Sequence, residues 1–404
     1  MVKRKKWMIG SVLIALVCVT SLILGSCAPK AAEVPGVTKD TIKIGAYLPM
    51  TGPLAKIGTS CQHGGWAYFN PINEQGGIYG RKIDWIVEND EYQPAKTLAA
   101  CKKLIESDDV FALVGCAGAP TTLAVLDYIT EKDVPFVGPY CPVSQLVKPF
   151  KRNVFTMVPC FYRQYYLMAD YMIDELGAKR IGIIQQAGSP SAIQAVKDRM
   201  EKSPDVSIVA DETYKIGETD FSSIVLKVSK ANPDFILICT VVEPGSLILK
   251  EIKKQGCMPP LGCFMGHSSM YDPAVLELAG SAAEGGLALM INKDPKTSND
   301  PEVVEFRERL KKYSPEAVPG VFTVSAYIAA KLFCDGMELA GPNPTREKLV
   351  DALESMQDYD FGFMAPITFT PTQHQANMRA IVVKVENGEY VTVTDWLPLI
   401  EEIG

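Results

Sequence analysis

The chain has 404 residues, a formal net charge of −7 and 22% charged residues. An acidic and evenly mixed composition argues against nucleic-acid binding, which requires a basic surface. The length exceeds that of one ordinary hydrophobic core, and we therefore predict two domains.

Residues 1–26 have the features of an export signal. A basic stretch at residues 3–6 precedes an uncharged apolar run to Leu24, and small residues then lead to Cys27. A cysteine at this point resembles a bacterial lipobox, in which the thiol of Cys27 receives a lipid. The alternative is a transmembrane anchor, because the apolar run approaches the length of a membrane span. Either interpretation places the rest of the chain outside the cytoplasm and attached to a membrane, with residues 27–37 as a tether.

An apolar strand, a helix-length segment and a second strand follow one another between residues 41 and 90. Such a βαβ unit requires a parallel sheet with a right-handed crossover. Ligands of open parallel sheets sit outside the carboxyl ends of the strands. The loop of residues 49–58, which contains Ile57, is therefore a candidate wall of a binding site.

Three motifs resemble those of the branched-chain amino-acid-binding proteins, the extracytoplasmic solute receptors of ABC importers. They are PMTGPLAKIG at residues 49–58, INEQGGIYGRK at residues 72–82 and TDFS at residues 219–222. The match runs from about Val37 to about Pro398, in the family's order. The resemblance implies an α/β fold of two doubly wound lobes joined by three crossovers, with a cleft that closes on a ligand.

The strand and helix patterns fit this division of the chain. The βα alternation continues to Met157, where the chain crosses into a second α/β unit, and further crossings are expected near residues 285–290 and 361–369. We predict lobe 1 from residues 38–157 plus 290–365 and lobe 2 from residues 158–289 plus 366–404.

In lobe 1, the turn of residues 115–122 follows a buried strand and leads into a helix that Pro120 can start. Free backbone N–H groups at such a helix start suit a carboxylate. An equally weighted alternative is that the small residues only permit tight packing. The resemblance implies that Ala117, Ala119 and Thr121 bind the ligand's carboxylate, although a hydroxyl that the family has near Ala119 is missing.

The next turn of lobe 1 contains Tyr140 and Cys141, followed by Pro142. In the family, a small residue and a threonine at about the positions of Cys141 and Pro142 help to hold the ligand. Proline has no N–H to donate, so the family's full set of hydrogen bonds is not available here.

Lobe 2 supplies the other candidate ligand-binding residues, which follow its strands in the way that the resemblance implies. The family often has a tyrosine near Ser189, and amino-acid receptors commonly have an acid near Ser268 that binds the ammonium group. Serine cannot supply that charge. Glu243 is a possible substitute, and its other interpretation is an ordinary first-turn helix acid. The candidates are Gln186, Ser189, Thr240, Glu243, His267 and Ser268.

The sequence GHSSM at residues 266–270 also resembles the nucleophile elbow of serine hydrolases. Met270 stands where an elbow needs a small residue, and only His374 follows as a base. No nucleotide-binding or metalloprotease motif is present. We therefore predict no enzyme activity, no cofactor and no metal site.

Eleven cysteines are an unusual number for an exported protein, and nine remain after Cys18 and Cys27 are set aside. Two pairs follow neighbouring predicted strands and are candidate disulfides, namely Cys116–Cys141 and Cys239–Cys263. Buried free thiols are the favoured alternative.

These patterns lead to one functional hypothesis. We expect a monomeric, lipid-anchored solute receptor that delivers its ligand to the permease subunits of an ABC transporter. The family's usual ligands are leucine, isoleucine and valine. Because Pro142 and Ser268 depart from the family pattern, a non-amino-acid carboxylate or an amide is favoured. A sensory protein of the same fold is the alternative.

Overall fold

The computed structural model describes residues 34–52, 54–187, 190–376 and 378–401. The described residues from Gly36 onward form one compact unit. The predicted signal of residues 1–26 and the predicted lipidation site Cys27 lie outside the described residues. In the described part of the chain, no helix combines the length and the apolar character needed to cross a bilayer.

Strands and helices alternate along most of the chain. The strands are β1 Thr41–Leu48, β2 Lys82–Asn89, β3 Leu113–Val114, β4 Phe136–Val137, β5 Val154–Phe155, β6 Arg180–Gln186, β7 Ser207–Tyr214, β8 Phe235–Cys239, β9 Cys263–Phe264, β10 Leu287–Met290, β11 Arg379–Glu386, β12 Glu389–Thr392 and β13 Leu397–Pro398. The α-helices are α1 Ala55–Glu74, α2 Pro94–Lys102, α3 Ala119–Glu131, α4 Phe161–Asp170, α5 Pro190–Met200, α6 Ser222–Lys230, α7 Val242–Gln255, α8 Pro273–Ala279, α9 Pro301–Tyr313, α10 Val321–Ala340 and α11 Arg346–Glu354.

The first sheet is parallel throughout and has the strand order β2-β1-β3-β4-β5. This is a doubly wound order with its topological switch point between β1 and β3. Helix α10 packs on α1, and most of its 20 residues are buried because its sequence is apolar on nearly every face. We call the part built on this sheet lobe 1.

The second sheet repeats that order, and the part built on it is called lobe 2. Its parallel strands run β7-β6-β8-β9-β10, and β11 and β12 continue the sheet in antiparallel directions. The dipeptide Asn387-Gly388 predicts a hairpin turn, and both residues have positive φ between β11 and β12, as such a turn requires. The predicted fold class, two doubly wound α/β lobes, is therefore confirmed.

Several predicted elements differ from the observed ones at their ends. The apolar run of residues 110–114 predicts a strand, but it forms sheet pairs only at Leu113–Val114. The sequence of residues 162–175 predicts one α-helix, but the observed helix ends in a π-helical turn at Tyr171–Glu175. Such a turn holds extra residues that a pattern of 3.6-residue periodicity does not reveal.

The first and third connections between the lobes lie side by side. Thr156 N donates to His374 O at 2.9 Å, and Ala376 N donates to Thr156 O at 2.9 Å. The side chain of Gln375 also donates to Val158 O at 3.0 Å. We call residues 156–158 and 374–376 the crossover ribbon. The buried guanidinium of Arg163 contacts the Gln375 side chain beside it.

All nine cysteines of the described residues are free. The candidate disulfides Cys116–Cys141 and Cys239–Cys263 do not form, and the favoured free-thiol alternative is confirmed. Burial raises the pKa of Cys141 and of Cys239 to about 12 in each case, so these thiols stay protonated and pack as small apolar groups.

Candidate functional site

The turns after β3 and β4 of lobe 1 are joined to each other. Ala117 pairs with Tyr140 in a parallel bridge, and Gly118 N donates to Tyr140 O at 3.2 Å. Both candidates therefore belong to one surface at the carboxyl ends of neighbouring strands, as expected for a doubly wound sheet.

The start of α3 is less open than a free carboxylate-binding turn. The helix begins at Ala119, with Pro120 in its first turn. The Ala119 amide faces the hydroxyl of Tyr92. Burial raises the pKa of Tyr92 to about 12, and the Ala119 amide offsets part of this increase. The Thr121 hydroxyl is buried and has no hydrogen-bond partner among the described residues. Tyr92 therefore covers part of the predicted carboxylate turn.

Cys141 lies below this surface and is almost fully buried. The Thr122 hydroxyl is 2.9 Å from the Tyr47 hydroxyl and also interacts with the Cys141 thiol, which fixes the base of the turn. The carbonyl of Pro142 accepts a hydrogen bond from Phe161 N, at the start of α4, at 2.6 Å. The same turn thus reaches lobe 2.

On lobe 2, the turn after β9 presents His267 and Ser268. The His267 ring centroid lies 4.5 Å from that of Phe161, and the imidazole is buried. Burial lowers the pKa of His267 to about 3, so the ring is neutral near pH 7. Its Nδ1 accepts from Ser269 N at 3.3 Å. This histidine therefore brings no positive charge to the cleft.

Tyr140 and Ser268 meet across the two lobes. Ser268 N donates to the Gln164 side chain at 2.9 Å, which orients the serine. Burial raises the pKa of Tyr140, and the nearby Ser268 hydroxyl lowers it to a smaller extent. Their hydroxyls nevertheless make no hydrogen bond of ordinary geometry, and both are buried without a partner among the described residues. Two buried hydroxyls without a partner, one from each lobe, are suited to a ligand's polar group.

The remaining candidate residues do not all lie beside Tyr140 and Ser268. Tyr214 links two of them, since its hydroxyl contacts the Thr240 hydroxyl and lies 3.4 Å from Gln186 Oε1. Glu243 is an exposed acid in the first turn of α7. Ile57 is half-buried and packs against the buried hydrophobic core. Ser189 lies outside the described residues.

The arrangement of His374 excludes a serine-hydrolase triad. Its ring stacks on Phe155 with centroids 3.9 Å apart, and its Nε2 lies 3.2 Å from Glu354 Oε1. The Ser268 hydroxyl has no hydrogen-bond partner in the described part of the chain, His374 included. A nucleophile and its base must lie within hydrogen-bond reach. The resemblance to a nucleophile elbow is therefore coincidental.

The sequence did not identify several residues that shape the cleft. Tyr92, Gln164 and Tyr214 contact candidate residues, and the Phe322 ring lies 5.0 Å from that of Tyr140. An aromatic residue at a strand end, such as Tyr214 at the end of β7, was the one available signal. Beside Ser268 is a cavity of about 10 Å³, enough for about one water molecule, lined by Ser268, Tyr271, Ile291, Asn292, Pro295, Val321 and Val324.

Comparison with known proteins shows the family to which the chain belongs. The model of the periplasmic binding protein family matches residues 41–389. A leucine-, isoleucine-, valine-, threonine- and alanine-binding protein of Pseudomonas aeruginosa is 26% identical over 322 residues, which are 78% of this chain and 83% of that protein.

Two solved structures show the same fold. One is a branched-chain amino acid ABC transporter protein from Thermus thermophilus with bound valine, with a TM-score of 0.82 and 18% identity over 90% of this chain and 97% of that one. The other is a fatty acid ABC transporter substrate-binding protein from Thermomonospora curvata, with a TM-score of 0.81 and 23% identity over 91% of this chain and 94% of that one. Because the family model covers most of its length, the chain belongs to the periplasmic binding protein family, as a solute-binding protein of the branched-chain amino-acid type and not an enzyme.

Proposed function

We propose that the protein is the lipid-anchored substrate-binding component of an ABC importer and that it captures a small organic carboxylate or amide between its lobes. The observation that carries the ligand class is the pair of unpaired, buried hydroxyls on Tyr140 and Ser268. A buried hydroxyl without a partner costs about 1–3 kcal/mol. A ligand oxygen or amide that reaches both hydroxyls removes that cost and links the two lobes.

The charges around this pair argue against a requirement for an ammonium group. Ser268 is neutral, and the low pKa of His267 keeps its ring neutral. Glu243 is exposed in the first turn of α7. The Asp272 carboxylate lies close enough to raise the pKa of Tyr140, but it already accepts a hydrogen bond from Ala274 N at 2.9 Å. The ammonium of an amino acid would therefore lose water without gaining a dedicated carboxylate partner.

The names of similar proteins support a carboxylate as the ligand. The names of the P. aeruginosa relative and the T. thermophilus structure refer to amino acids, whereas the T. curvata protein is named for a fatty acid. Proteins of this fold thus include receptors for carboxylates with an amino group and, by name, for carboxylates without one.

Ligand capture follows from the positions of the two hydroxyls. Tyr140 follows β4 of lobe 1, and Ser268 follows β9 of lobe 2. A ligand held by one lobe completes its hydrogen bonds only when the other lobe closes over it, so binding shifts the molecule toward the closed form. The closed complex is the form that we expect the permease subunits to recognise.

A thermal-shift comparison tests the ligand class. Leucine, isoleucine and valine are each compared with the acid that lacks the amino group and with the corresponding amide. We expect the deaminated acids or the amides to raise Tm, since a ligand at 100 times its Kd adds about 2.7 kcal/mol of stability. The proposed class is wrong if the amino acids raise Tm and the deaminated acids and amides do not.

The two hydroxyls are then tested with the compound that gives the largest shift. S268A and Y140F should each weaken its binding about tenfold or more, the typical effect of one lost hydrogen bond in a buried site. T345A, which removes a helix cap of lobe 1, is the matched control and should bind as wild type. Unchanged binding in both hydroxyl variants would exclude the proposed contact.

Separate experiments test the anchor and the partner. C27A should be released from membranes, and the mature wild-type N-terminus should carry lipid by mass spectrometry. Uptake of the identified ligand by vesicles that contain the candidate permease should depend on this protein. Ligand binding without such uptake, together with activation of a signalling partner, would favour the sensory alternative.

A further inference from the structure

Asp272 of lobe 2 reaches the start of a helix in lobe 1. It precedes α8, and its Oδ1 accepts from Ala274 N at 2.9 Å. The same carboxylate faces the backbone amide of Val321, the first residue of α10. One carboxylate therefore accepts from an N-terminal amide of α8 and lies beside the start of α10 in the other lobe.

Helix α10 lacks a capping side chain of its own at this point. Its N-cap residue is Gly320, which has no side-chain acceptor, and the first amides of a helix have no partner within the helix. An anionic acceptor at this end also interacts favourably with the helix dipole. Asp272 thus occupies, from the other lobe, the place that an N-cap side chain ordinarily fills.

The space for this contact depends on glycine at position 320. A Cβ added to Gly320 would lie 2.9 Å from Asp272 Oδ2, 3.7 Å from Asp272 Cγ and 3.9 Å from Pro273 Cδ, and all three atoms belong to lobe 2. The φ of Gly320 is −164°, an extended conformation that any residue adopts. The backbone therefore does not require glycine here, whereas a Cβ at this position would displace the Asp272 carboxylate.

Other groups around the carboxylate come from both lobes. Burial raises the pKa of Asp272, and Lys56 in α1 and Lys296 beyond β10 lower it to a smaller extent. Tyr140 lies within electrostatic reach, and the Tyr390 hydroxyl donates to the Asp272 carbonyl at 3.2 Å. The acid is thus held in place on the lobe 2 side by its own helix and by β12.

We propose that Asp272 is a positioning residue for closure, a cross-lobe cap that holds α10 of lobe 1 only when the lobes are together. Opening the cleft separates Asp272 from Val321, and the Val321 amide then has water as its acceptor. The contact rests on the two-lobed fold and not on the identity of the ligand. It stabilises the closed form in the same direction as any ligand that bridges the cleft.

Amide hydrogen exchange at Val321, measured by NMR on the soluble chain without ligand, tests the cap directly. The ligand-free chain exchanges between open and closed forms, so we expect the Val321 amide to exchange more slowly in wild type than in D272A and in G320A, by up to about tenfold, the change that corresponds to loss of one hydrogen bond of about 1.4 kcal/mol. Small-angle X-ray scattering of the same samples should show a larger radius of gyration in both variants.

The double variant D272A/G320A separates a specific contact from general damage. Once the carboxylate is gone, the alanine at position 320 meets nothing closer than Pro273, so the double variant should match D272A alone. T345A removes a helix cap within lobe 1, where Thr345 accepts from Lys348 N at 3.1 Å, and should leave Val321 exchange unchanged.

Two results would overturn the proposal. The first is equal exchange of the Val321 amide in wild type and in D272A, and the second is a G320A effect that is as large in the D272A background as in wild type. Neither depends on finding a ligand, so these outcomes are independent of the ligand screen that tests the proposed function.

Discussion

Two buried tyrosines of lobe 1 should respond in opposite directions to loss of the hydroxyl. The Tyr47 hydroxyl is fully buried and lies 2.9 Å from the Thr122 hydroxyl, whereas the Tyr140 hydroxyl is buried without a partner among the described residues. Y47F breaks a buried hydrogen bond and should lower the free energy of unfolding by about 1 kcal/mol. Y140F removes an unpaired polar group and should raise it by about 1 kcal/mol.

The size of the protein sets the expected change in Tm. For the 369 residues from Gly36 to Gly404, an unfolding entropy of about 2.1 cal/mol/K per residue gives about 0.8 kcal/mol/K for the whole unit. Each variant should therefore shift Tm by about 1.3 °C, and the two should differ by about 2.5 °C. Paired differential scanning calorimetry of the ligand-free proteins resolves such a difference.

The comparison has a clear unfavourable outcome. If Y140F destabilises the ligand-free protein as much as Y47F does, the Tyr140 hydroxyl has a partner in solution, and the argument that it awaits a ligand fails. With ligand present the order should change, since Y140F loses a ligand contact that Y47F keeps.

Three further predictions concern the hinge, the buried histidine and the thiols. R163M removes a buried guanidinium that contacts Gln375 and should lower the free energy of unfolding by about 2 kcal/mol. The control R180M, at an exposed site, should change it by less than about 0.5 kcal/mol. Equal effects of the two variants in calorimetry would contradict a stabilising role of Arg163 at the hinge. The pKa of His267 is about 3 in the folded protein and about 6.5 in the unfolded chain, so the native state binds fewer protons between these pH values. Acidification from pH 7.5 to 5 should therefore lower the free energy of unfolding of wild type by about 2 kcal/mol more than that of H267Q. Parallel pH profiles of the two proteins would refute this prediction. Native Ellman titration should label the half-buried Cys257 before the eight buried thiols, and C257S should abolish this early phase.

The fold was predictable because it depends on local patterns that recur along the chain. The continuous apolar run Phe235–Cys239 predicts a buried strand, and β8 has these bounds. Asp300 followed by Pro301 is typical of a helix start, and the Asp300 carboxylate accepts from Glu302 N at 3.1 Å, as expected of a cap of α9.

The cleft was predictable only in part, because its contacts join residues far apart in the sequence. Tyr140 and Ser268 were identified separately, each as a residue that follows a strand. Their meeting depends on how the lobes close, and no periodicity encodes this. Gln164 lies inside a helix where a buried glutamine has no local signal, yet it orients Ser268. The role of Gly320 was likewise invisible, since its extended backbone would accept any residue.

The crossover ribbon restricts how the cleft opens. Backbone hydrogen bonds join residues 156 and 374–376, so two of the three connections bend as a single band. Sliding one lobe past the other would have to break these bonds, whereas flexing the band leaves them intact. The far rim of the cleft therefore travels the longest path during opening, and the residues beside the band stay nearly still.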